Sequence, residues 1–329
     1  MLIRKTVGEL KVKIYYIQYT TDFHLLAALG AIGDLENVKL FLVGPATKVV
    51  ERLLLSELSI EFVHADPRGN HVSFSRLLSL LLRSRCRRDI TIVSPFVFPF
   101  YTFLALLGEG VFVRNILRTD EGVGSYASFS HYYASLKFER PDKPRLSNFS
   151  LAVAKKVAVK LTKWLGFCKE CYFFSGNGGV DAERINSIQG VLGRLGKLDG
   201  LNGRVIYVSQ PRVHNFFCGP QAYADFLLAV GRRFPGPLVV KRHPADSFNY
   251  EEHGFEVVEG YPLELYEIDK ASVFGFSSTA LLMAKLLGGC SAVYYISEGG
   301  GSEFYLGLSV FNKCLFQRYL LSIEGGLVS

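Results

Sequence analysis

The sequence predicts an α/β protein of two Rossmann-like halves facing a central cleft, and three observations predict it. Short apolar runs of strand length alternate with stretches of helical periodicity. That alternation occurs twice, on either side of a passage rich in Gly and Asn. The chain has 329 residues, which suits two domains at roughly 100–200 residues each.

The first series opens with a β-rich run at residues 11–19. Residues 20–29 then read as helical, with Phe23, Leu26, Ala27 and Gly30 at helix spacing. The next apolar run, 38–43, is closed by Gly44-Pro45; 46–58 resumes the helical period and 60–63 is strand-like. Runs at 90–94 and 111–117 extend the pattern. A polar, Pro-rich stretch at 139–150 leads into a helix candidate at 151–165 that carries Lys155, Lys156, Lys160 and Lys163. Residues 177–203 show no clear strand. The passage between domains is expected near 178–203, giving domains of 1–185 and 186–329. The second series reads as strand 205–209, helix 221–234, strands 238–241, 255–258 and 272–275, helix 279–287 and strand 291–296. In sheets wound this way, ligands sit at the carboxyl ends of the strands.

Composition narrows the functional classes. With 49% hydrophobic and 20% charged residues, the chain buries too much apolar surface to be disordered. A mean hydropathy of +0.21 raises the question of membrane spans. The longest apolar run, 92–107, is broken by Ser and Pro, and falls short of the roughly 18–20 uninterrupted residues a bilayer core demands. The first residues hold no continuous apolar core of a signal peptide, so the expected compartment is the cytoplasm. Six scattered cysteines indicate no disulfide framework, and Cys168-x-x-Cys171 lacks the second pair that a zinc site needs.

Three short segments can carry chemistry. Asp120-Glu121-Gly122 follows an apolar run, so two carboxylates stand where a parallel strand ends. Neighbours on an extended chain point to opposite sides, so one can face a ligand as a general base while the other braces the loop. A solvated acidic turn or a helix cap is the plainer alternative. Lys241-Arg242-His243-Pro244 ends another strand; the proline holds His243 extended, and an imidazole beside two cations suits an anionic leaving group. Its plainer reading is a structural histidine. Gly275-Phe276-Ser277-Ser278-Thr279 runs from strand into helix, where backbone N–H groups and three hydroxyls suit a phosphate, or simply cap the helix. Neither a P-loop nor a strand-linked dinucleotide fingerprint nor a Gly-x-Ser-x-Gly elbow occurs.

Taken together, Asp120-Glu121-Gly122, Tyr207-Val208-Ser209-Gln210-Pro211, His243-Pro244 and Ser277-Ser278-Thr279 resemble an ordered motif set. It is that of bacterial lipooligosaccharide sialyltransferases and capsular polysialyltransferases: acidic-acidic-Gly, His-Pro and Ser-Ser/Thr. Residues 18–28 are also similar to the first strand-helix passage of those families, although Thr20-Thr21-Asp22 stands where Thr-Pro-Leu or Thr-Pro-Phe is usual. The resemblance spans about residues 12–290.

The resemblance implies a GT-B fold and inverting transfer of sialic acid from CMP-Neu5Ac to a glycan hydroxyl of lipooligosaccharide or capsule, with no cofactor or essential metal. It implies that Asp120 or Glu121 is the general base, Asp120 by its first-position match, on an acceptor-side first domain. His243 would act on the CMP phosphate as general acid or hydrogen-bond donor, and Ser277, Ser278 and Thr279 would bind it. Gly122, Gln210, Pro211, Lys241, Pro244 and Gly275 complete the expected donor-binding set. CMP-legionaminic acid, CMP-pseudaminic acid or CMP-Kdo are the alternative donors, and a non-catalytic nucleotide- or glycan-binding protein is the alternative class.

The formal net charge of +7 adds a second expectation. Arg76, Arg83, Arg85, Arg87 and Arg88 crowd one Leu-rich segment, and the four lysines of 151–165 lie along another with Trp164 at its end. Such runs are usually solvated faces; the alternative partner is an anionic membrane surface or acidic glycan, which would place the protein peripherally at the inner face of the plasma membrane. No nucleic-acid-binding signature is present, so nucleic acid is not an expected partner.

Overall fold

A computed structural model describes residues 12–64, 90–95, 113–120, 129, 133, 143–164, 168–175, 177–297 and 308–323. Glu121, Gly122 and the arginines between 76 and 88 lie outside them. The chain divides into two compact units, residues 1–119 with 157–171, and residues 120–156 with 172–329. Residue 185, the boundary expected from the sequence, falls within a helix of the second unit.

Each unit is built on a six-stranded parallel sheet. The first contains β1 (Lys13–Gln18), β2 (Val38–Gly44), β3 (Ser59–His64), β4 (Ile90–Ser94), β5 (Val113–Arg118) and β6 (Cys168–Glu170), in the order β3-β2-β1-β4-β5-β6. The second contains β7 (Val205–Val208), β8 (Leu238–Lys241), β9 (Glu256–Val258), β10 (Ser272–Gly275), β11 (Ala292–Ile296) and β12 (Leu321–Ile323), in the order β12-β11-β10-β7-β8-β9. The two orders are the same doubly wound pattern, and each reverses direction once, at β1/β4 and at β7/β10. The α/β, two-Rossmann expectation is therefore met. Parallel strands are covered on both faces, which is why β2 and β7 read as continuous apolar runs and are buried nearly throughout.

Capping side chains start the helices. Thr21 Oγ1 accepts from the His24 N–H (3.2 Å) to open α1 (Asp22–Ile32), and Thr47 does the same for Val50 (3.4 Å) at α2 (Lys48–Leu54). Thr21-Asp22 is thus a cap followed by a first-turn carboxylate. The helix expected at 151–165 is α3, Arg145–Trp164: it begins directly after Pro144, so the polar stretch before residue 150 is already helical. No described helix is long and apolar enough to cross a membrane.

The stretch 178–203, expected as the passage between domains, contains α4 (Ala182–Leu195). Asp181 caps it through the Arg184 N–H at 3.2 Å, and Ile185, Ile188, Val191 and Leu192 make its buried face. Gly190 and Gly193 meet open space, so they mark exposed positions of a helix and not a break. The second unit continues with α5 (Pro220–Gly231) and α6 (Thr279–Leu286), and α7 (Val310–Tyr319) leads into β12. Cys168 lies on β6 and Cys171 is buried just beyond it, both as free thiols. Among the described residues no group of three or more metal-ligating side chains gathers.

Burial gives His24 on α1 a titration of consequence. Its ring, with Nδ1 3.0 Å from Thr20 Oγ1, is largely removed from water, which lowers its pKa from 6.5 to about 4. The unfolded chain then binds more protons than the folded one between those values, so stability falls as pH drops from 6.5 towards 4. His24→Gln is expected to remove about 2–3 kcal/mol of that acid destabilisation. Urea unfolding of both proteins across the window checks it; equal losses would refute it.

Candidate functional site

In the second sheet the order turns back between β7 and β10, so their carboxyl ends and that of neighbouring β8 define the switch point at which doubly wound sheets bind ligands. The sequence places Ser209-Gln210-Pro211 after β7, Arg242-His243-Pro244 after β8, and Phe276-Ser277-Ser278-Thr279 after β10. Three of the motifs read from the sequence therefore meet at one sheet edge.

Two side chains of the central loop tie its neighbours. Ser209 is 1% exposed; its N–H donates to the Lys241 carbonyl (3.1 Å) and its Oγ accepts from the His243 N–H (2.8 Å). The next residue reaches the other way: Gln210 Oε1 accepts from the Ser277 N–H at 3.0 Å. Gln210, expected to touch a donor, thus has a structural task, and Ser209, which the sequence singled out only as part of a motif, has an equal one.

His243 is held at three points. Besides the bond to Ser209, its carbonyl accepts from the Asp246 N–H (2.9 Å) and its Nδ1 accepts from the Ala245 N–H (3.1 Å). An Nδ1 that accepts cannot carry a proton, so the neutral ring bears its hydrogen on Nε2. Loss of water around the ring lowers the His243 pKa; Lys241 pushes the same way and Asp246 opposes it. The imidazole is therefore a neutral donor near physiological pH, and its residue remains solvent-exposed.

Of the flanking cations, Arg242 is turned elsewhere. It forms ion pairs with Glu251 and Glu259 and lies over the Tyr250 ring, 5.6 Å from its centroid. The expectation that Arg242 serves an anion beside His243 is corrected on that ground. Pro244 follows His243 in the exposed turn, and Lys241 closes β8.

At the third loop, Ser278 caps α6: its Oγ accepts from the Ala280 N–H (3.2 Å) and its carbonyl from the Leu281 N–H (3.1 Å). Thr279 is the first helical residue. The Ser277 hydroxyl and the Ser278 N–H make no hydrogen bond to the described residues, and the helix start adds its positive end. Gly275 is explained by packing, because a Cβ there would sit 2.9 Å from the Val208 carbonyl oxygen. Its close approach lets β10 lie against β7.

Asp120 lies on the other sheet's strand end, two residues beyond β5. Thr119 N–H donates to the Ser94 carbonyl (3.1 Å), and Asp120, 1% exposed, accepts from the Phe173 N–H through Oδ2 (2.8 Å). One carboxylate oxygen is thus fixed by backbone.

No protein-family model and no curated protein sequence matches the chain. Solved structures similar to it include an α/β-galactoside α-2,3-sialyltransferase from the luminous marine bacterium Photobacterium phosphoreum, 11% identical over 95% of this chain and 99% of that one, with a TM-score of 0.46. Another is the UDP-GlcNAc 2-epimerase of Methanocaldococcus jannaschii, 11% identical over 86% and 83%, TM-score 0.44. A third is the ADP-heptose lipopolysaccharide heptosyltransferase II of E. coli, 10% identical over 96% and 91%, TM-score 0.40. Likenesses this distant carry no functional weight, and the site stands on its own geometry.

Ser209→Ala removes the acceptor of a loop amide. It is expected to cost about 1–3 kcal/mol of stability and to speed hydrogen exchange at the His243 amide; mass-resolved exchange over residues 238–250 that matches the parent would refute the tie.

Proposed function

We propose that the chain is an inverting, metal-independent glycosyltransferase that moves sialic acid from CMP-sialic acid to a hydroxyl of a surface glycan, in lipooligosaccharide or capsule. The observation that carries this reading is that the loops bearing His243, Ser277 and Ser278 leave neighbouring strands at one switch point and are both latched to a third; they carry a neutral imidazole N–H, a hydroxyl and a helix-start N–H. That donor set suits the phosphate of a departing nucleotide, and a doubly wound sheet puts such a phosphate there.

In this reading the acceptor oxygen forms a bond to the anomeric carbon while the bond from that carbon to the CMP phosphate breaks, and the electron pair leaves with CMP. The acceptor proton passes to a carboxylate of the Asp120-Glu121 pair. Asp120 is oriented by the Phe173 N–H on Oδ2; Glu121, outside the described residues, is the other candidate. Charge grows on the phosphate oxygens as the bond breaks, so donors that strengthen there accelerate the step more than donors that bind the ground state. His243 Nε2–H does this without giving up its proton. CMP-legionaminic acid, CMP-pseudaminic acid and CMP-Kdo present the same phosphate, so the donor sugar is chosen elsewhere.

CMP release from CMP-Neu5Ac, measured with a panel of galactosides and sialosides, tests the reading. His243→Ala and the relevant carboxylate variant, Asp120→Asn or Glu121→Gln, are expected to lower kcat by about two to four orders of magnitude. His243→Gln, which keeps an N–H donor, is expected to retain more activity than His243→Ala. Release that requires no acceptor hydroxyl, or that survives all of these substitutions within about tenfold, would overturn it; tight CMP binding with no turnover would favour a non-catalytic nucleotide-binding protein.

A further inference from the structure

Helix α3 stands apart from the other described helices in its chemistry. Over 20 residues, RLSNFSLAVAKKVAVKLTKW, it has one Arg and four Lys and no Asp or Glu. Asn148 and Ala152 turn inward, each 1% exposed or less. Leu146 (75%), Phe149, Val153, Val157 and Trp164 (81%) are large apolar side chains left exposed. At about 100° per residue these five fall within an arc of roughly 80°, so they form one stripe along the helix. Lys160 lies within that arc and Lys156 at its edge, both exposed. Phe129 and Tyr133 pack edge-on against Phe149, each with ring centroids 5.8 Å away, and broaden the apolar strip there.

An apolar stripe on a helix whose only charged residues are cations is matched by one kind of surface. A soluble polyanion, such as an acidic glycan, satisfies the lysines but gives five hydrophobic side chains nothing to pack against. An anionic bilayer supplies both, with lipid phosphates at the level of the ammonium groups and acyl chains beneath them. The helix is about 30 Å long and too polar to span, so it would lie flat in the headgroup layer, its stripe inward and the stems of Lys156 and Lys160 reaching back to the phosphates.

We infer that the exposed stripe of helix Arg145–Trp164 docks the protein on an anionic phospholipid surface. The inference rests on the helix alone and is independent of the transfer activity proposed above, so its test measures no turnover.

The chain contains one tryptophan, Trp164, which lies in the stripe and reports on it directly. The full chain is mixed with vesicles of phosphatidylcholine containing phosphatidylglycerol, and with vesicles of phosphatidylcholine alone. Co-flotation and a blue shift of tryptophan emission are expected with the first and not the second, both weakening as salt is raised. Replacing Lys156 and Lys160 together by Gln is expected to weaken partitioning about thirtyfold. Val157→Asp is expected to abolish the blue shift, with circular dichroism confirming that each variant keeps the parent's helix content. A protein that stays in the soluble fraction with anionic vesicles at low salt, with unshifted emission, overturns the inference. So does emission already blue-shifted without lipid and reversed on dilution, which would assign the stripe to a second copy of the chain, or a shift produced by a soluble acidic polysaccharide and not by vesicles.

Discussion

The candidate site depends on two consecutive side chains, Ser209 and Gln210, at the end of the central strand β7. One accepts the His243 N–H from the loop after β8, the other the Ser277 N–H from the loop after β10. The need for them is geometric. Strand twist splays the loops beyond a parallel sheet, and once the ladder ends, each loop N–H must find a partner or remain unsatisfied. A short hydroxyl reaches one neighbour and a longer carboxamide the other, and together they fix three loops as one body. Each bond contributes only about 1 kcal/mol net. Their larger effect is to set the positions of the His243 and Ser277 loops relative to β7 before any ligand arrives.

Beneath the His243 loop lies a second constraint. The phenols of Tyr207, Tyr223 and Tyr250 form a buried chain, 2.7 and 3.0 Å apart, that ends at Asp246 Oδ2, 2.7 Å from the Tyr250 hydroxyl. Because a carboxylate only accepts, Tyr250 donates to it, and the direction of the remaining bonds follows back along the chain. Burial raises the pKa of all three tyrosines, so they stay neutral and the polarity of the chain does not change with pH. Asp246 also accepts the Phe248 N–H (3.2 Å) and donates its own N–H to the His243 carbonyl (2.9 Å). The turn that presents the imidazole is thus tied to the floor of the aromatic core, where Tyr223 and Phe248 pack edge-on with centroids 4.8 Å apart.

The sequence made the strands and the motif positions legible because both are local. Apolar runs show parallel strands, and a Pro after His or a pair of Ser before a helix shows a strand end. What escaped it was either short or non-local. Strands β6 and β12 have three residues each, too few to show a period. Helix α4 was concealed by the Gly and Asn around it, although its Asp181 cap and the Ile185, Ile188, Val191, Leu192 spacing were present to be read. Arg242 looked like an anion ligand because its partners, Glu251 and Glu259, arrive from the following turn and the end of β9. The ties from Ser209 and Gln210 link positions 34 and 67 residues apart, a pairing no spacing rule anticipates.

The tautomer of His243 bears on the proposed chemistry in a way that the motif alone does not. To act as a general acid the ring would have to be an imidazolium, and protonating Nδ1 would break the bond from the Ala245 N–H while the partial loss of water around the ring already disfavours the cation. A nucleotide leaving as a phosphate monoester makes no such demand, since its second pKa is about 6 and it departs near neutral pH without taking a proton. A fixed, neutral N–H is then the better device. It meets the growing charge at once, spends no free energy on charging the ring, and is ready for the next donor as soon as the phosphate dissociates. The proton that must move in the proposed reaction is the acceptor's, and the proposal assigns it to a carboxylate of the Asp120-Glu121 pair and not to this ring. On that proposal, leaving-group stabilisation depends on backbone ties among the loops of the second sheet, which hold the ring in one tautomer.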